Sequence, residues 1–419
     1  MGETPLVLIS GKDVLEAVGG HESYVRAHAL AVTRLGLKPH IFCNGRRTRT
    51  TTADFGVVHH VAPRLPVVAQ GPLLARAVVR FLAGRPGPHV IHGFAIWSVA
   101  GALAARTLRR HGIDATAVVS AYGTRAYEVG AMQDGLEHHG LSHRIRYGSW
   151  LRWIRLVDDP VERWGYAHAQ VVLVNYESVR EILSSAYGPS FPIRQIPYTS
   201  MDAFLDDEAP APSRCPEPIA QLPAPDAPLV LAISRHDPRK GLNVLLIALA
   251  NLAVSGVPFR ACLIGPGRLL DAHRRLARDL GVAERVAIPG RVDDARPYLD
   301  RADVFVLPSL AEASGSVSVI EALRSGTAVV ASACDGIPED VTDGSDALLV
   351  LPGDVRALTG ALQTLLADTA LRERLAAAGR RTYEQRFSAA GFVAALRSLY
   401  ADLGVREFAP GAQTSRDLT

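Results

Sequence analysis

Short apolar runs rich in β-branched residues alternate with longer stretches of helical period along the chain. In the first half the runs fall at Leu6–Ile9, Pro39–Cys43, Val57–Val61, His89–His92, Thr116–Ala121 and Val171–Val174. Ser23–Leu35, Leu73–Leu82 and Trp97–Arg110 between them carry helical spacing. The alternation restarts after Asp226, with runs at Leu229–Ile233, Phe259–Ile264, Val286–Ile288, Val304–Leu307, Ala328–Ala331 and Leu348–Leu351. Helical stretches such as Gly241–Leu252, Leu269–Leu280 and Ser318–Ser325 follow most of these. A strand that is apolar at every position buries both its faces, as in a parallel sheet covered by helices on either side. The pattern predicts an α/β chain of two successive doubly wound parallel-sheet domains. In open sheets of this kind ligands sit beyond the carboxyl ends of the strands. Two such domains facing one another predict an inter-domain cleft that holds the chemistry.

Residues 209–228 hold seven prolines, at 210, 212, 216, 218, 223, 225 and 228, and so can continue neither helix nor sheet. The predicted divisions are an N-terminal domain over 1–205, a Pro-rich linker over 206–228 and a C-terminal domain over 229–388. A last helix over 389–405 is expected to return to the N-terminal domain, and 406–419, without apolar period, reads as a flexible tail. The 419 residues are 48% hydrophobic and 21% charged, which excludes a disordered chain, a collagen-like repeat or a small disulfide scaffold. A net charge of +3 is too slight to predict a nucleic-acid partner. The longest apolar stretch, 91–105, is interrupted by His92 and Ser98 and stops at Arg106, short of the ~20 residues of a membrane span. The opening MGETPLVLIS is acidic at its third residue and too briefly apolar for a secretory signal. Cys43, Cys215, Cys262 and Cys334 form no Cys-x-x-Cys motif and are expected to be buried free thiols. A cytoplasmic location is the expectation.

Three loops carry candidate chemistry. Gly19-Gly20-His21-Glu22 follows the first strand and opens the first helix, where glycines let backbone approach a ligand and free amides attract an anion. The run 234–241, Ser-Arg-His-Asp-Pro-Arg-Lys-Gly, leaves a strand for a helix and combines planar arginine forks with a compact lysine charge, as a diphosphate requires. Of the 45 basic residues only Lys12, Lys38 and Lys240 are lysine, which draws attention to Lys240. The third loop, 308–322, offers small residues, the amides of a helix start near Ser316, and two carboxylates, Glu312 and Glu321, suited to sugar or ribose hydroxyls. Glu321, on an otherwise apolar helix, reads as a buried charge in need of a hydroxyl partner.

These residues resemble the retaining glycosyltransferases of family 4, which have the GT-B architecture. The resemblance is carried by Arg235 with Lys240-Gly241, Leu263-Ile264-Gly265-Pro266-Gly267, Pro289-Gly290-Arg291-Val292, Pro308-Ser309, Glu312 to Glu321, and Gly336-Ile337-Pro338-Glu339. It covers 228–353 closely; the first half matches more weakly, through Gly19-Gly20, the VLVNYES turn and Ile196-Pro197. The resemblance implies two Rossmann-like domains and a hexosyltransferase that uses a nucleotide-diphosphate sugar, a UDP-sugar ahead of a GDP-sugar, with no metal and no other cofactor. Arg235 and Lys240 would hold the diphosphate, Glu312 the donor sugar and Glu321 the ribose. The backbone at Arg291 and Val292 would meet the base, the amides of Ser316 and Val317 the β-phosphate, and Gly265 with Gly19 and Gly20 would complete the donor site. His21, His92 and Tyr122 would line the acceptor side, although a structural role for His92 is an equal reading. The acceptor would be a small molecule, sugar-like or a natural product; a lipid-linked acceptor at the inner face of a membrane is the alternative.

Two positions depart from the family pattern. Eight residues, not the usual seven, separate Glu312 from Glu321, so either the loop bulges or Glu312 is displaced. Tyr122 stands where the family commonly has histidine, and a phenol is a poor base near neutral pH. This points to a phosphate oxygen as the proton acceptor. The segment 142–164 carries Arg144, Arg146, Arg152 and Arg155 with Trp150, Trp153, Ile154 and Val157 on one helical face, which either packs on its own domain or lies on a membrane surface. Among rival functions, a dehydrogenase is disfavoured because Gly265-Pro266-Gly267-Arg268-Leu269-Leu270 lacks the third glycine of the dinucleotide fingerprint. A sugar-nucleotide epimerase or phosphorylase would keep the fold, and a sugar-binding receptor would need export.

Overall fold

The computed structural model describes residues 5–16, 19–85, 87–134, 141–204, 215–405 and 408. The expected tail, apart from residue 408, and residues 206–214 of the expected linker lie outside them; the described remainder of the linker carries one helical turn, Glu217–Ala220. The chain divides into two compact units: Met1–Arg125 with Arg152–Asp206 and Phe387–Thr419, and Ala126–Leu151 with Asp207–Arg386. Residues 126–151 therefore fall with the second unit, whereas the sequence pattern keeps them in the first.

The first unit holds an eight-stranded sheet of β1 (Pro5–Ile9), β2 (Lys38–Asn44), β3 (Arg49–Ala53), β4 (Gly56–Val61), β5 (His89–Phe94), β6 (Ala115–Ser120), β7 (Val171–Val174) and β8 (Ile193–Gln195). Their order is β3-β4-β2-β1-β5-β6-β7-β8, and only β3 runs antiparallel, against β4. All five residues of β1 are buried, as the continuous apolar run requires of a central strand. Val7 pairs with His40 on one side and Ile91 on the other, so the chain leaves β1 in both directions and the switch point lies between β1 and β5. Leu74, Val78 and Leu82 of the helix Val67–Leu82 and Ala100, Ala104 and Leu108 of the helix Ser98–Arg110 cover one face. The helix Ala389–Asp402 belongs to this unit, where Tyr400 Oη lies 2.7 Å from His28 Nε2 and 3.1 Å from His92 Nδ1.

The second unit is a six-stranded, wholly parallel sheet of β9 (Leu229–Ile233), β10 (Arg260–Ile264), β11 (Val286–Gly290), β12 (Val304–Leu307), β13 (Ala328–Ser332) and β14 (Leu348–Val350). The order β11-β10-β9-β12-β13-β14 puts its switch point between β9 and β12. The helix Leu242–Val254 is apolar around most of its circumference and buries Leu242, Leu245, Leu246, Leu249 and Leu252. The predicted fold class is thus observed in both halves. β3 and β8 escape the hydrophobic pattern because one is a polar, mostly exposed edge strand and the other has three residues.

The arginine- and tryptophan-rich segment is helical through Trp153 and widens into a π turn over Ile154–Asp158. Its buried ridge is Leu151, Ile154 and Asp158, while Trp150 is 38%, Trp153 53% and Leu156 68% exposed. Of the residues read on one helical face, Ile154 is buried while Trp150 and Trp153 are exposed, so that face does not pack as a whole. Among the described residues no helix is long and apolar enough to cross a membrane.

Just beyond, Glu162 is wholly buried and accepts hydrogen bonds from Tyr166 (2.9 Å) and Tyr187 (2.9 Å). Burial outweighs these donors and pushes its carboxyl up to about 7 from an unfolded value of 4.5. Between those pH values the folded state holds a proton that the unfolded state has released, so this group's contribution falls as pH rises. Denaturant titrations from pH 4.5 to 7.5 should show wild type losing up to about 3 kcal/mol relative to Glu162→Gln, whose glutamine does not titrate. Parallel curves for the two proteins would contradict this.

Candidate functional site

In the second unit the loops after β9 and β12 meet at the switch point. The 3-10 turn Pro238–Lys240 ends at Gly241, whose φ of 61° is left-handed and whose added Cβ would stand 1.9 Å from Pro308 O. Only glycine permits that approach. It lets Leu310 N donate to Arg239 O at 2.7 Å and brings Lys240 against Glu312. Lys240 Nζ lies 2.5 Å from both Glu312 oxygens, and Ser309 Oγ donates to Glu312 Oε1 at 2.5 Å. Both charges are buried. Burial raises the Glu312 carboxyl, but Lys240 and Arg239 together hold it below its ordinary range. The pair is an ion pair. Arg239, only 6% exposed, donates to the carbonyls of Ala311 (3.3 Å) and Glu312 (3.2 Å) and stands 3.8 Å from Glu312 Oε2.

The loop between Glu312 and Glu321 carries backbone strain. Ala313 has φ 72°, a left-handed conformation that costs a non-glycine residue about 1 kcal/mol. Asp335, itself at φ 47°, accepts the amides of Glu312 (2.5 Å) and Ala313 (2.8 Å) on Oδ2 and the Tyr127 hydroxyl on Oδ1. The strained turn is at Ala313, and Glu312 lies beside Lys240.

The other expected residues of this unit stand as follows. Arg235 is half-exposed and pairs with Asp237 at 3.2 Å, so the buried guanidinium beside Lys240 is that of Arg239. Gly265, φ 139°, has a firm structural reason: a Cβ there would stand 2.0 Å from Ser234 O. Arg291 is exposed and Val292 half-buried just after β11. Ser316 precedes the helix Val317–Ser325 without capping it, its hydroxyl lying 3.0 Å from Ser318 Oγ instead. Glu321 is only half-buried, since Val319, Ile320, Ala322 and Leu323 form the packed face of that helix. The expectation of a buried charge there is corrected.

In the first unit His21 stands edge-on to Tyr122, ring centres 5.8 Å apart, and to Phe94 at 6.3 Å. Tyr122 packs 5.3 Å from Tyr24; burial, then the neighbouring tyrosines Tyr24 and Tyr198, push its phenol well above the usual value, so it stays protonated. It can donate a hydrogen bond but cannot serve as a base. His92 does not line an open surface. It is 0% exposed, its Nε2 lies 2.8 Å from Ser120 Oγ and its Nδ1 3.1 Å from Tyr400 Oη, and its ring stacks on Phe94 at 4.8 Å. The acceptor-side expectation for His92 is corrected to a core role. Gly19 and Gly20 open the first helix, Gly20–Arg34, but Glu22 turns its buried carboxylate back to within 2.7 Å of where a Gly19 Cβ would stand. Glu22 also pairs with Lys12 at 3.1 Å. A carboxylate already occupies the helix N-terminus where an incoming anion is expected.

Lys240 and Glu312 are singled out by the sequence, whereas Arg239 enters only within the basic loop without a role of its own, and Asp335 is missed. Asp335 directly precedes Gly336-Ile337-Pro338-Glu339, one position from a recognised signal. Among the described residues, Asp13, Cys43 and His60 alone bring three possible metal-ligating atoms within 4.8 Å of one another, in the first unit.

Residues 19–199 match the model of the glycosyl transferase 4-like domain, and residues 227–368 that of the glycosyl transferases group 1. The lipopolysaccharide core biosynthesis glycosyltransferase LpsE of Rhizobium meliloti (strain 1021) is 39% identical over 170 residues, 40% of this chain and 48% of LpsE. A GDP-mannose-dependent alpha-(1-6)-phosphatidylinositol monomannoside mannosyltransferase of Mycolicibacterium smegmatis is 32% identical over 220 residues, 51% of this chain and 57% of the relative. The alpha-D-kanosaminyltransferase of Streptomyces kanamyceticus is 25% identical over 256 residues, 59% and 66% of the two chains. The chain spans about half the length of the first two. Among solved structures, a sucrose-phosphate synthase from Thermosynechococcus elongatus superposes with a TM-score of 0.73 at 22% identity, covering 96% of this chain and 99% of that one. Anabaena Alr3699/HepE in complex with UDP follows at 0.67 and 19%, covering 95% and 100%. The fold is GT-B, and domain matches and structural neighbours together support a GT-B glycosyltransferase.

The buried pair makes its own prediction. Lys240→Ala leaves Glu312 an under-compensated buried charge and should cost about 3–5 kcal/mol in denaturant unfolding. Adding Glu312→Gln should recover most of that loss. A double variant no more stable than Lys240→Ala would contradict the pairing.

Proposed function

We propose that the chain is a retaining, metal-independent hexosyltransferase that moves a sugar from a nucleoside-diphosphate sugar to an acceptor hydroxyl. The observation that carries this reading is the Lys240–Glu312 pair, flanked by Arg239, at the switch point of the second sheet. A diphosphate drawn to Lys240 finds a buried ammonium and the backbone amides of the helix start at Val317 nearby in the same loop system. Positive side chains placed there would offset charge developing on the leaving phosphate, the task a metal performs elsewhere. Released from Lys240, Glu312 would accept hydrogen bonds from donor-sugar hydroxyls, and half-buried Glu321, one turn along the helix, from the ribose. Arg235, Gly265, Arg291 and Val292 complete the proposed donor site, with Gly19 and Gly20 as weaker members. His21 and protonated Tyr122 would donate hydrogen bonds on the acceptor side. With Tyr122 unable to accept a proton, the leaving phosphate oxygen takes the acceptor's proton as the new C1–O bond forms on the face the old one leaves. UDP is the proposed nucleotide of the donor, supported by the UDP bound to a structural neighbour.

The acceptor is proposed as a hydroxylated small molecule. A second reading, transfer to a lipid-linked acceptor at a cytoplasmic membrane face, is favoured by the solvent-exposed Trp153 and Leu156 beside exposed Arg152 and Arg155.

Two substitutions separate donor contact from mere folding. Glu321→Ala, on a half-exposed position, should leave stability within about 0.5 kcal/mol of wild type and reduce transfer at least tenfold. Glu312→Gln should bind UDP as tightly as wild type or more so, because a carboxylate competing for Lys240 is gone. The same variant should lose about 100-fold or more in turnover. Donor hydrolysis and transfer assays by chromatography, run with a chelator present, measure both. Unchanged turnover in both variants, or activity abolished by the chelator, would contradict the reading.

A further inference from the structure

In the first unit the carboxyl ends of the neighbouring strands β1, β2 and β4 enclose a cavity of about 450 Å³. Its walls include Arg46, Arg47, Arg49 and Arg64, and its floor is Asp13, Asn44 and His60. The floor is buried: Asp13 is 7%, Asn44 5% and His60 2% exposed. His60 Nε2 lies 2.7 Å from Asp13 Oδ2, and Arg49 Nη2 lies 3.7 Å from Asp13 and 3.4 Å from Glu16. These contacts satisfy Asp13 and tie Arg49 to the wall. Arg46, Arg47 and Arg64 make no ion pair or side-chain hydrogen bond among the described residues. Three unpaired guanidinium groups thus border one cavity, whose lining carboxylates among the described residues, Asp13 and Glu16, already answer to Arg49 and His60. The Oδ1 of Asn44, an acceptor, is buried there without a donor.

A ligand that completes this cavity has two parts. The arginine forks call for an anion with several oxygens, best a phosphate, which each fork can grip with two N–H groups. Asn44 Oδ1 calls for a hydroxyl donor beside it. A cation does not fit, although Asp13, Cys43 and His60 lie close together: four guanidinium groups surround the site, and burial pushes the Cys43 thiol up to about 12, away from the thiolate a metal needs.

We propose that this cavity is an acceptor subsite for a phosphorylated polyol, with Arg46, Arg47 and Arg64 holding the phosphate and Asn44 receiving a neighbouring hydroxyl. The word acceptor rests on the transferase reading above; the anion site does not. The phosphate is carried either by a soluble sugar phosphate or by the headgroup of an inositol lipid, and both present the same chemistry. Without either, the three arginines have no counterpart in the fold.

Calorimetric titration of the full chain with glucose 6-phosphate, inorganic phosphate and glucose tests this, alongside flotation with phosphatidylinositol vesicles and with phosphatidylglycerol vesicles of equal charge. Glucose 6-phosphate should bind and glucose should not. The triple variant Arg46→Ala/Arg47→Ala/Arg64→Ala should bind at least tenfold more weakly, the loss expected for removed hydrogen bonds to a charged group. Its thermal unfolding should match wild type, because all three side chains are exposed. Binding confined to phosphatidylinositol vesicles and lost in the triple variant would equally support the site and assign its phosphate to a lipid. Glucose 6-phosphate binding untouched by the substitutions would overturn the proposal, as would no binding of either probe or an equal loss on both kinds of vesicle. UDP titrated into the same samples keeps the two readings apart. Sugar-phosphate binding without UDP binding faults the transferase reading alone; UDP binding without sugar-phosphate binding faults the subsite alone.

Discussion

The second unit is organised around one buried ion pair. Lys240 and Glu312 come from loops more than seventy positions apart in sequence, after β9 and β12, which are neighbours at the sheet's switch point. Placing two opposite charges out of water is costly unless each is fully engaged, and the surroundings supply that engagement. Ser309 adds a hydroxyl to Glu312, Arg239 a second positive charge, and Asp335 fixes the amides on either side of the strained Ala313. Gly241 lets the two loops touch at all. A buried pair of this kind is weak as a source of stability and strong as a source of position. It holds an ammonium and a carboxylate ready where strand ends collect ligands.

The first unit spends its polar groups differently. His28, His92, Tyr24, Tyr122, Tyr198 and Tyr400 form a continuous cluster of rings below the ends of β1, β5 and β6, knitted by the C-terminal helix through Tyr400. Burial drives His28 down to about 3 and His92 well below its ordinary value, so both stay neutral at physiological pH. These histidines are structural. The proposed roles of this unit fall to His21, Tyr122 and the arginine-lined cavity.

Much of this was legible in the sequence, for identifiable reasons. Central strands such as β1 and β9 are buried on both faces, so their apolar runs cannot be mistaken, and both sheets followed from them. Lys240 stood out because the chain is so poor in lysine, and Glu312 because of its place after a strand. Other features depend on what lies opposite in space. The exposure of Trp153 is set by which neighbouring ridge packs, and the burial of His92 by a helix some 300 residues later. The β3 edge strand is polar because one side faces solvent, so no periodicity marks it. Nor does any linear motif join Asn44, Arg46 and Arg47 to Arg64; only the β2–β4 pairing does.

The second unit is proposed to hold a nucleoside diphosphate at Lys240, with Glu312 turned to the donor sugar. A thermal-shift screen of the full chain against UDP, GDP, ADP and NAD, without metal and then with magnesium, tests it most directly. The account predicts a rise in Tm with one nucleoside diphosphate, UDP foremost, that needs no magnesium. Stabilisation by NAD alone, or by a diphosphate only when magnesium is present, would contradict it.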